Sequence, residues 1–493
     1  MNKSILIVGA GMGGLCSALR LASKGFKVKI LEKNSQAGGR MNQLKKDGFT
    51  FDIGPSFFSM SYEFEELAKD CKISLPFEYH SLDPLYSVHL KEENKVYRLY
   101  KNIEKLATQF EQFEPEFEKK MSCYLQECKR LFDDTTEIVI KQNFSSIGHY
   151  IFSLLRVHPR HLPKLTRTFW EQLDRYFESS EVKQILSLVS FFLGKTPLDT
   201  PAVFTLLSHT EFVHDGYFNV RGGMYKIVEG LLLELEKLGV IIEYNKEIVD
   251  YTSNLGVLSG LVDDNGNVYK SDIYLINADA AVFRGKVLKR ESFSEKKMSK
   301  MNWTMGYLTF YLGVDIKLPH VDHHNFYLGA AFKEYANRMM NQSEKFDNPY
   351  YYVNVLSKHN EECAPLGCES LFFVCPVPSL QFKPDWSDRE EIVNSIISDF
   401  SNRIGINVSE HIVSKTIYTP VEWADMFNLQ YGSGLGLSHD LSQIGGFRPK
   451  NQDEDYHNLF YVGASTTPGA GIPMAVISSK LTSERIIKYS GVL

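Results

Sequence analysis

The stretch KSILIVGAGMGGLCSALRLASKG, Lys3 to Gly25, passes from an apolar run through a glycine turn into a helical repeat. Ile5 to Val8 read as a buried strand, and Leu15, Ala18, Leu19 and Ala22 recur on one helical face. A strand, a GxGxxG turn and a helix in that order predict a dinucleotide-binding unit. The three glycines act differently. Gly9 allows the tight turn, Gly11 admits a pyrophosphate to the backbone, and Gly14 lets the helix lie close to the strand. The helix N-terminus then faces the phosphates with unpaired N–H groups. A second strand, KVKILEK, runs to Glu32, about 20 residues past the glycines, where a carboxylate accepts hydrogen bonds from ribose hydroxyls. Lys3 ahead of an apolar run also resembles a secretory leader, but a cleaved leader needs neither the glycine spacing nor Glu32.

The far end carries a second glycine-rich segment, FYVGASTTPGAGIPMAVISSK, Phe460 to Lys480. NLFYV reads as a buried strand entering Gly463, and PGAGIPM leads into a helix beginning near Pro473, a residue suited to a first turn. Such an N-terminus aims N–H groups and partial positive charge at whatever precedes it, which at a flavin's pyrimidine edge would stabilise the charge of reduction. Both ends of the chain thus converge on one cofactor.

Between them, GFTFDIGPSFF is β-rich and reaches a turn at Gly54-Pro55-Ser56 suited to close approach of a ligand. From about Asn102 to Ser208 glycines are few and amphipathic runs such as FEKKMSCYLQECKRLF predict an inserted helical region. The dinucleotide unit resumes where Gly222-Gly223 precedes a helix and GVIIEY forms a strand. Two more strands meet at Asn265-Gly266, a strong hairpin signal, and a return strand ends at Asn277-Ala278-Asp279. Trp303 to Thr419 mixes strands and helices as the floor of a substrate domain. The expected architecture is α/β, a Rossmann-like FAD-binding domain interleaved with a mixed β-sheet substrate domain and a helical membrane-facing region. Its boundaries are 1–85 (FAD-binding), 86–213 (helical), 214–300 (FAD-binding), 301–418 (substrate sheet) and 419–493 (FAD-binding).

A chain of 493 residues supports two or three domains, and a net charge of -6 gives no basic field for nucleic acid. Seven cysteines scattered without close CxxC pairs suggest a reducing compartment; Cys123/Cys128 and Cys363/Cys368 are each five apart and read more readily as buried or incidental thiols than as ligands, so no metal is expected. ILSLVSFFLG, Ile185 to Gly194, is too short for a bilayer span of about 20 residues. The 33 Phe and 26 Tyr suit either a long apolar cavity or a well-filled core.

GAGMGGLCSALRLASKGFKVKILEKNSQAGGR, FDIGPS, VRGGM and GFRPKNQDEDYHNLFYVGASTTPGAGIPMAVISSK together resemble the bacterial carotenoid desaturases, the phytoene-desaturase type of flavoprotein within the amine-oxidase-like group. The resemblance spans nearly the whole chain, and its C-terminal block is the more specific part. It implies FAD held by Gly9, Gly11, Gly14, Glu32, Lys33, Gly39 and Arg40, with Pro55 and Ser56 at the ring and Val249 at the adenine. Gly463, Gly471, Ile472, Pro473 and Met474 would meet the ribityl and isoalloxazine parts. Relatives of the phytoene type often carry Gly where this chain has Met474, and VGAS replaces their VGAG. These departures resemble the branch that introduces the 3,4 double bond into 1-hydroxylated acyclic carotenoids. The alternatives are a phytoene- or lycopene-type desaturase, a flavin amine oxidase, or a non-catalytic prenyl-lipid escort.

Desaturation removes a hydride to flavin N5 and a proton to a base or water. Candidates for the proton, or for a substrate hydroxyl, lie in SHTEFVHDGYFNVRGGM: Glu211 and His214, with His209 beside them. Replacing Glu211 or His214 should slow turnover with FAD still bound. An apolar polyene must be met at a lipid bilayer surface, and residues 145–170 combine Ile147, Ile151, Phe152, Leu154 and Leu155 with Arg156, Arg160, Lys164 and Arg167. Pro159 and Pro163 break this segment into two short helices. The protein is therefore expected in the cytoplasm, peripherally associated with the cytoplasmic membrane, passing electrons to an acceptor such as oxygen or a quinone.

Overall fold

A computed structural model describes residues 3–91, 95–144, 146–341 and 350–491. Five parallel strands form the dinucleotide sheet in the spatial order Leu459–Tyr461, Ile273–Ile276, Ser4–Val8, Lys27–Leu31, Ile241–Glu243. Unbroken apolar runs such as ILIV and IYLI suit a parallel sheet covered on both faces. Ile5, Ile7, Ile273, Leu275 and Phe460 pack into one layer with the helices Met12–Ala22, Tyr225–Lys237 and Ile472–Ser490. Their neighbours Leu6, Val8, Tyr274, Ile276 and Tyr461 face a small antiparallel sheet of Ile248–Asn254, Val257–Asp263 and Val268–Tyr269.

The Met12–Ala22 helix corrects the one-face expectation, since ten of its eleven residues are buried. It lies between the sheet and two further helices, so apolar or small residues are needed all round.

The second sheet has seven strands, in the order Ile412–Tyr418, Gly306–Val314, Glu369–Val377, Tyr351–Val355, His324–Leu328, Tyr86–Leu90, Lys95–Leu99. Only His324–Leu328 and Tyr86–Leu90 pair in parallel. The helix Arg389–Ile404 covers the outer face with Ile392, Val393, Ile396 and Phe400. The inner face presents Tyr307, Phe326, Tyr352 and Phe372 to the interior.

A boundary at residue 86 is thus misplaced, because Tyr86–Leu90 and Lys95–Leu99 are the edge of this floor sheet and helices begin at Ile103. Tyr97 and Leu99 are buried while Val96 and Arg98 are exposed, a strand alternation too short to separate from the helical pattern that follows. The stretch assigned wholly to cofactor binding from 419 also needs dividing. Its helix Pro420–Phe427 rests on the floor, with Trp423 packed into the Phe51, Tyr311 and Phe372 cluster and its Nε1–H donating to Thr309 Oγ1 at 3.1 Å.

Candidate active site

One cavity of about 860 Å³ runs from the C-terminal ends of the dinucleotide strands to the floor sheet and the helical layer. Every cofactor position read from the sequence lines it except Gly14. Gly14 sits one layer behind the cavity wall: a Cβ there would lie 2.2 Å from the Gly9 carbonyl oxygen, so it sets the contact between strand and helix. Gly9 has φ +96°, the left-handed backbone that a glycine tolerates without strain.

From the sequence, Asn277 is only the residue that ends a strand. In the fold its Nδ2 donates to the Gly9 carbonyl at 3.2 Å, and its Oδ1 lies 2.6 Å from the site of a Gly13 Cβ and 2.8 Å from that of Gly463. The N- and C-terminal glycine segments therefore meet around one amide. The only local signal is a polar residue ending an apolar run.

Glu32 is buried and accepts the N–H of Ala10 at 2.7 Å and of Asn34 at 2.9 Å. Burial raises its pKa while these N–H groups pull it back. Lys33 lines the cavity but its Nζ is engaged by the Asp425 carbonyl and Asn428 Oδ1, each at 2.8 Å. Arg40 is tied to the Gly434 carbonyl at 2.8 Å.

Two other blocks prove to be braces. Asp52 of FDIGPS accepts the Met224 N–H at 2.9 Å, joining that strand to the helix opened by VRGGM. Burial pushes its carboxyl up to about 7. Arg448 of GFRPKNQDED is buried and donates to five carbonyls, those of Leu437, Ser438, Gln443, Ala464 and Thr466. It fastens the loop beneath the cavity to the turn that follows Gly463.

These features fit FAD. Two helices, those capped by Gly11 and Gly471, begin at the cavity with no side chain capping them, so their first N–H groups are free for a phosphate or a reduced ring edge. Glu32 at the strand end suits a ribose, and exposed Val249 lines the same end, as expected for the adenine. Bound FAD supplies the hydride acceptor.

The other half of the cavity is apolar and aromatic, built from Leu188 to Leu193, Leu206, Leu207, Phe326 and Tyr352 among others. Glu211 is the one carboxyl lining it there among the described residues. It is wholly buried, accepts the Tyr86 hydroxyl at 2.7 Å, and is also hydrogen-bonded by Tyr217. Burial overrides those bonds and pushes its pKa up to about 8. With its pKa up to about 8, Glu211 favours the protonated form at neutral pH, so it is a poor resting base. His214 is exposed and off the cavity, its ring against Tyr62, Phe132 and His209. Glu211 and His214 lie in one π-helical turn, Thr210–His214, which sets Glu211 in the cavity wall and leaves His214 outside it.

At its other wall the cavity is lined by Thr136, Val139, Ile140, Tyr150, Ile444 and Gly445. Tyr150 is on the inner face of the helix Ile147–Arg156, whose outer face exposes Ile147, Ile151, Phe152 (65%) and Leu155 (78%). A 3₁₀ helix, Pro159–Leu165, follows and exposes Leu162 and Leu165, so two short elements form as the prolines predict. Ser145 lies outside the described residues. Arg156 and Arg160 are exposed beside this patch. Lys164 is not: it is buried against Glu127, where an ion pair satisfies it. No helix among the described residues is long and apolar enough to cross a membrane.

Residues 12–487 match the family described as flavin containing amine oxidoreductase. A phytoene desaturase of Fusarium fujikuroi is 30% identical over 100% of this chain and 90% of its own length. A carotenoid 3,4-desaturase of Haloarcula japonica is 29% identical over 99% of this chain and 98% of its own. Putrescine oxidase with bound putrescine shares the fold alone, at a TM-score of 0.64 and 14% identity over 99% of each chain. The chain belongs to the flavin-containing amine oxidoreductases and, within them, to the phytoene and carotenoid desaturases: it is an FAD-dependent oxidoreductase acting on CH–CH groups.

Proposed function

We propose that the protein introduces the 3,4 double bond into 1-hydroxylated acyclic carotenoids. The observation that carries this reading is Glu211, held by the Tyr86 hydroxyl at 2.7 Å as a lone carboxyl in the apolar half of the cavity, where burial raises its pKa to about 8. A protonated carboxyl can both donate to and accept from a tertiary hydroxyl, whereas an unhydroxylated polyene leaves it unmatched. The aromatic walls hold the chain in one orientation, and an existing polyene spreads the positive charge that builds up as hydride leaves, so alignment supplies much of the rate. Met474, at the start of the C-terminal helix, occupies the cavity wall with a side chain where a glycine would leave open space.

A phytoene-type reading is favoured by the Fusarium relative, which is named a phytoene desaturase. Incubating FAD-loaded protein with hydroxylated and unhydroxylated acyclic carotenoids, and resolving the products, separates the two. Conversion of the hydroxylated substrate alone is the expected result; preference for phytoene overturns the 3,4 assignment.

The patch of Ile147, Ile151, Phe152, Leu155, Leu162 and Leu165, flanked by Arg156 and Arg160, supports a peripheral seat on the cytoplasmic face of the cytoplasmic membrane. The same helix that carries the patch walls the cavity through Tyr150, so a polyene leaving lipid would pass directly inward. Oxygen or a membrane quinone would then take the electrons.

A further inference from the structure

Ser56 and Tyr352 both line the cavity, and behind them lies a group of histidines that cofactor and polyene binding leave unused. Ser56 Oγ donates to the Tyr352 hydroxyl at 2.8 Å, and that hydroxyl lies 2.5 Å from His324 Nδ1. The phenol has one proton. Since its oxygen already accepts from Ser56, that proton points at His324 Nδ1, which must be the unprotonated nitrogen. Asn354 Nδ2 also approaches His324 Nδ1 at 3.3 Å, consistent with an acceptor there.

His324 Nε2 must then carry the hydrogen, and it is buried without a hydrogen-bond partner among the described residues. The next imidazole, His323, has its Nδ1 2.9 Å from the Val355 carbonyl, so Nδ1 holds a proton and its Nε2 is an acceptor, met by Asn354 Nδ2 at 3.4 Å. Its ring centre is 4.3 Å from that of His324. His359 follows at 5.0 Å and His80 at 5.3 Å, and both are exposed. Phe57 stacks on His324 at 4.0 Å and holds its plane. The hydrogen bonds from Ser56 through Tyr352 thus end on His324, the innermost of four imidazoles in ring contact that reach out to solvent.

We propose that Ser56, Tyr352 and His324 form a proton relay that carries the proton of desaturation out of the cavity to His324, the innermost of these four imidazoles. This rests on the desaturase reading above. Two C–H bonds break: one leaves as hydride to the bound FAD, the oxidant, and the electron pair of the other becomes the new π bond. The freed proton bonds to Ser56 Oγ as the Ser56 proton passes to Tyr352, and the Tyr352 proton passes to His324 Nδ1. His324 is thereby left as an imidazolium, with its ring 4.3 Å from that of His323. Ser56 is the group that meets the substrate, and Tyr352 and His324 act through it.

The relay is tested on FAD-loaded protein in two ways. Nitrogen NMR of histidine-labelled protein without substrate reads the tautomer: His324 is expected as Nε2–H with a bare Nδ1, and an Nδ1–H form overturns the relay. In anaerobic single turnover with a carotenoid, loss of flavin absorbance and proton release to an indicator dye are followed together. Tyr352→Phe and His324→Gln should retain bound FAD and the spectral change of substrate binding, yet bleach on the order of 10²-fold more slowly. They should also lose the native solvent isotope effect. Both variants bleaching and releasing protons at the native rate would overturn the relay while leaving the desaturase reading intact. Native protein that no carotenoid bleaches would overturn that reading, and the relay with it.

Discussion

Replacing Glu211 by Gln separates a neutral hydrogen-bonding carboxyl from a base. In the folded protein burial raises its pKa from 4.5 to about 8. The folded state therefore favours the protonated form, and the stability this contributes is complete below the ordinary carboxyl pKa and lost as pH rises through 8. At about 1.4 kcal/mol for each pH unit, that rise represents on the order of 5 kcal/mol between pH 4.5 and 9. Gln has a similar shape, stays neutral at every pH and can still accept from Tyr86 and Tyr217. Urea unfolding of FAD-loaded native and Glu211→Gln protein from pH 5 to 9 is the assay. Native protein should lose stability toward pH 9 while the variant loses much less, so their difference grows with pH in favour of Gln. Carotenoid turnover should survive in Glu211→Gln near pH 7 and persist above pH 8, where the native enzyme declines. Parallel stability curves would refute the buried neutral carboxyl, and abolished turnover at pH 7 would restore the role of base.

Gly14→Ala puts a methyl 2.2 Å from the Gly9 carbonyl oxygen, so the strand and helix must separate. The expected result is purified protein without yellow colour and with a lower Tm. Changing Phe152, Leu154 and Leu155 together to Ser should leave Tm within a degree or so, because all three are exposed, while liposome flotation falls several-fold. Undiminished flotation would remove this patch as the lipid contact. Arg448→Lys replaces five donors by three and cannot reach five carbonyls, so it should cost several kcal/mol by thermal unfolding and weaken FAD retention.

What the sequence revealed and what it hid follow the range of the forces involved. Gly9, Gly11 and Glu32 were legible because turn sterics and the reach of one strand act over a few residues, and each carries its constraint in its own identity. The amphipathic helix Ile147–Arg156 was legible for the same reason. Arg448 lay inside a motif that drew attention, yet its work is to satisfy carbonyls at 437–443 and 464–466, which no local pattern announces. Lys164 read as a surface cation because composition says nothing of Glu127 waiting beneath it. The relay at Ser56, Tyr352 and His324 joins residues nearly 300 apart, and strands of the floor sheet bring them together only after folding.

The spatial order of the dinucleotide sheet has a consequence for biosynthesis. Its central strand, Ser4–Val8, leaves the ribosome long before the edge strand Leu459–Tyr461, which pairs with Ile273–Ile276, and the helix Ile472–Ser490, which packs on Met12–Ala22. Throughout that interval the Ile273–Ile276 edge is unpaired and the apolar helix Met12–Ala22 lacks part of its cover, a state slow to resolve and prone to aggregate. Native topology is therefore acquired only once this late strand and helix have emerged. A stop codon just ahead of Leu459 should send the product to proteolysis rather than yield a shortened enzyme, and dependence on a holding chaperone should be greatest for ribosome-bound chains.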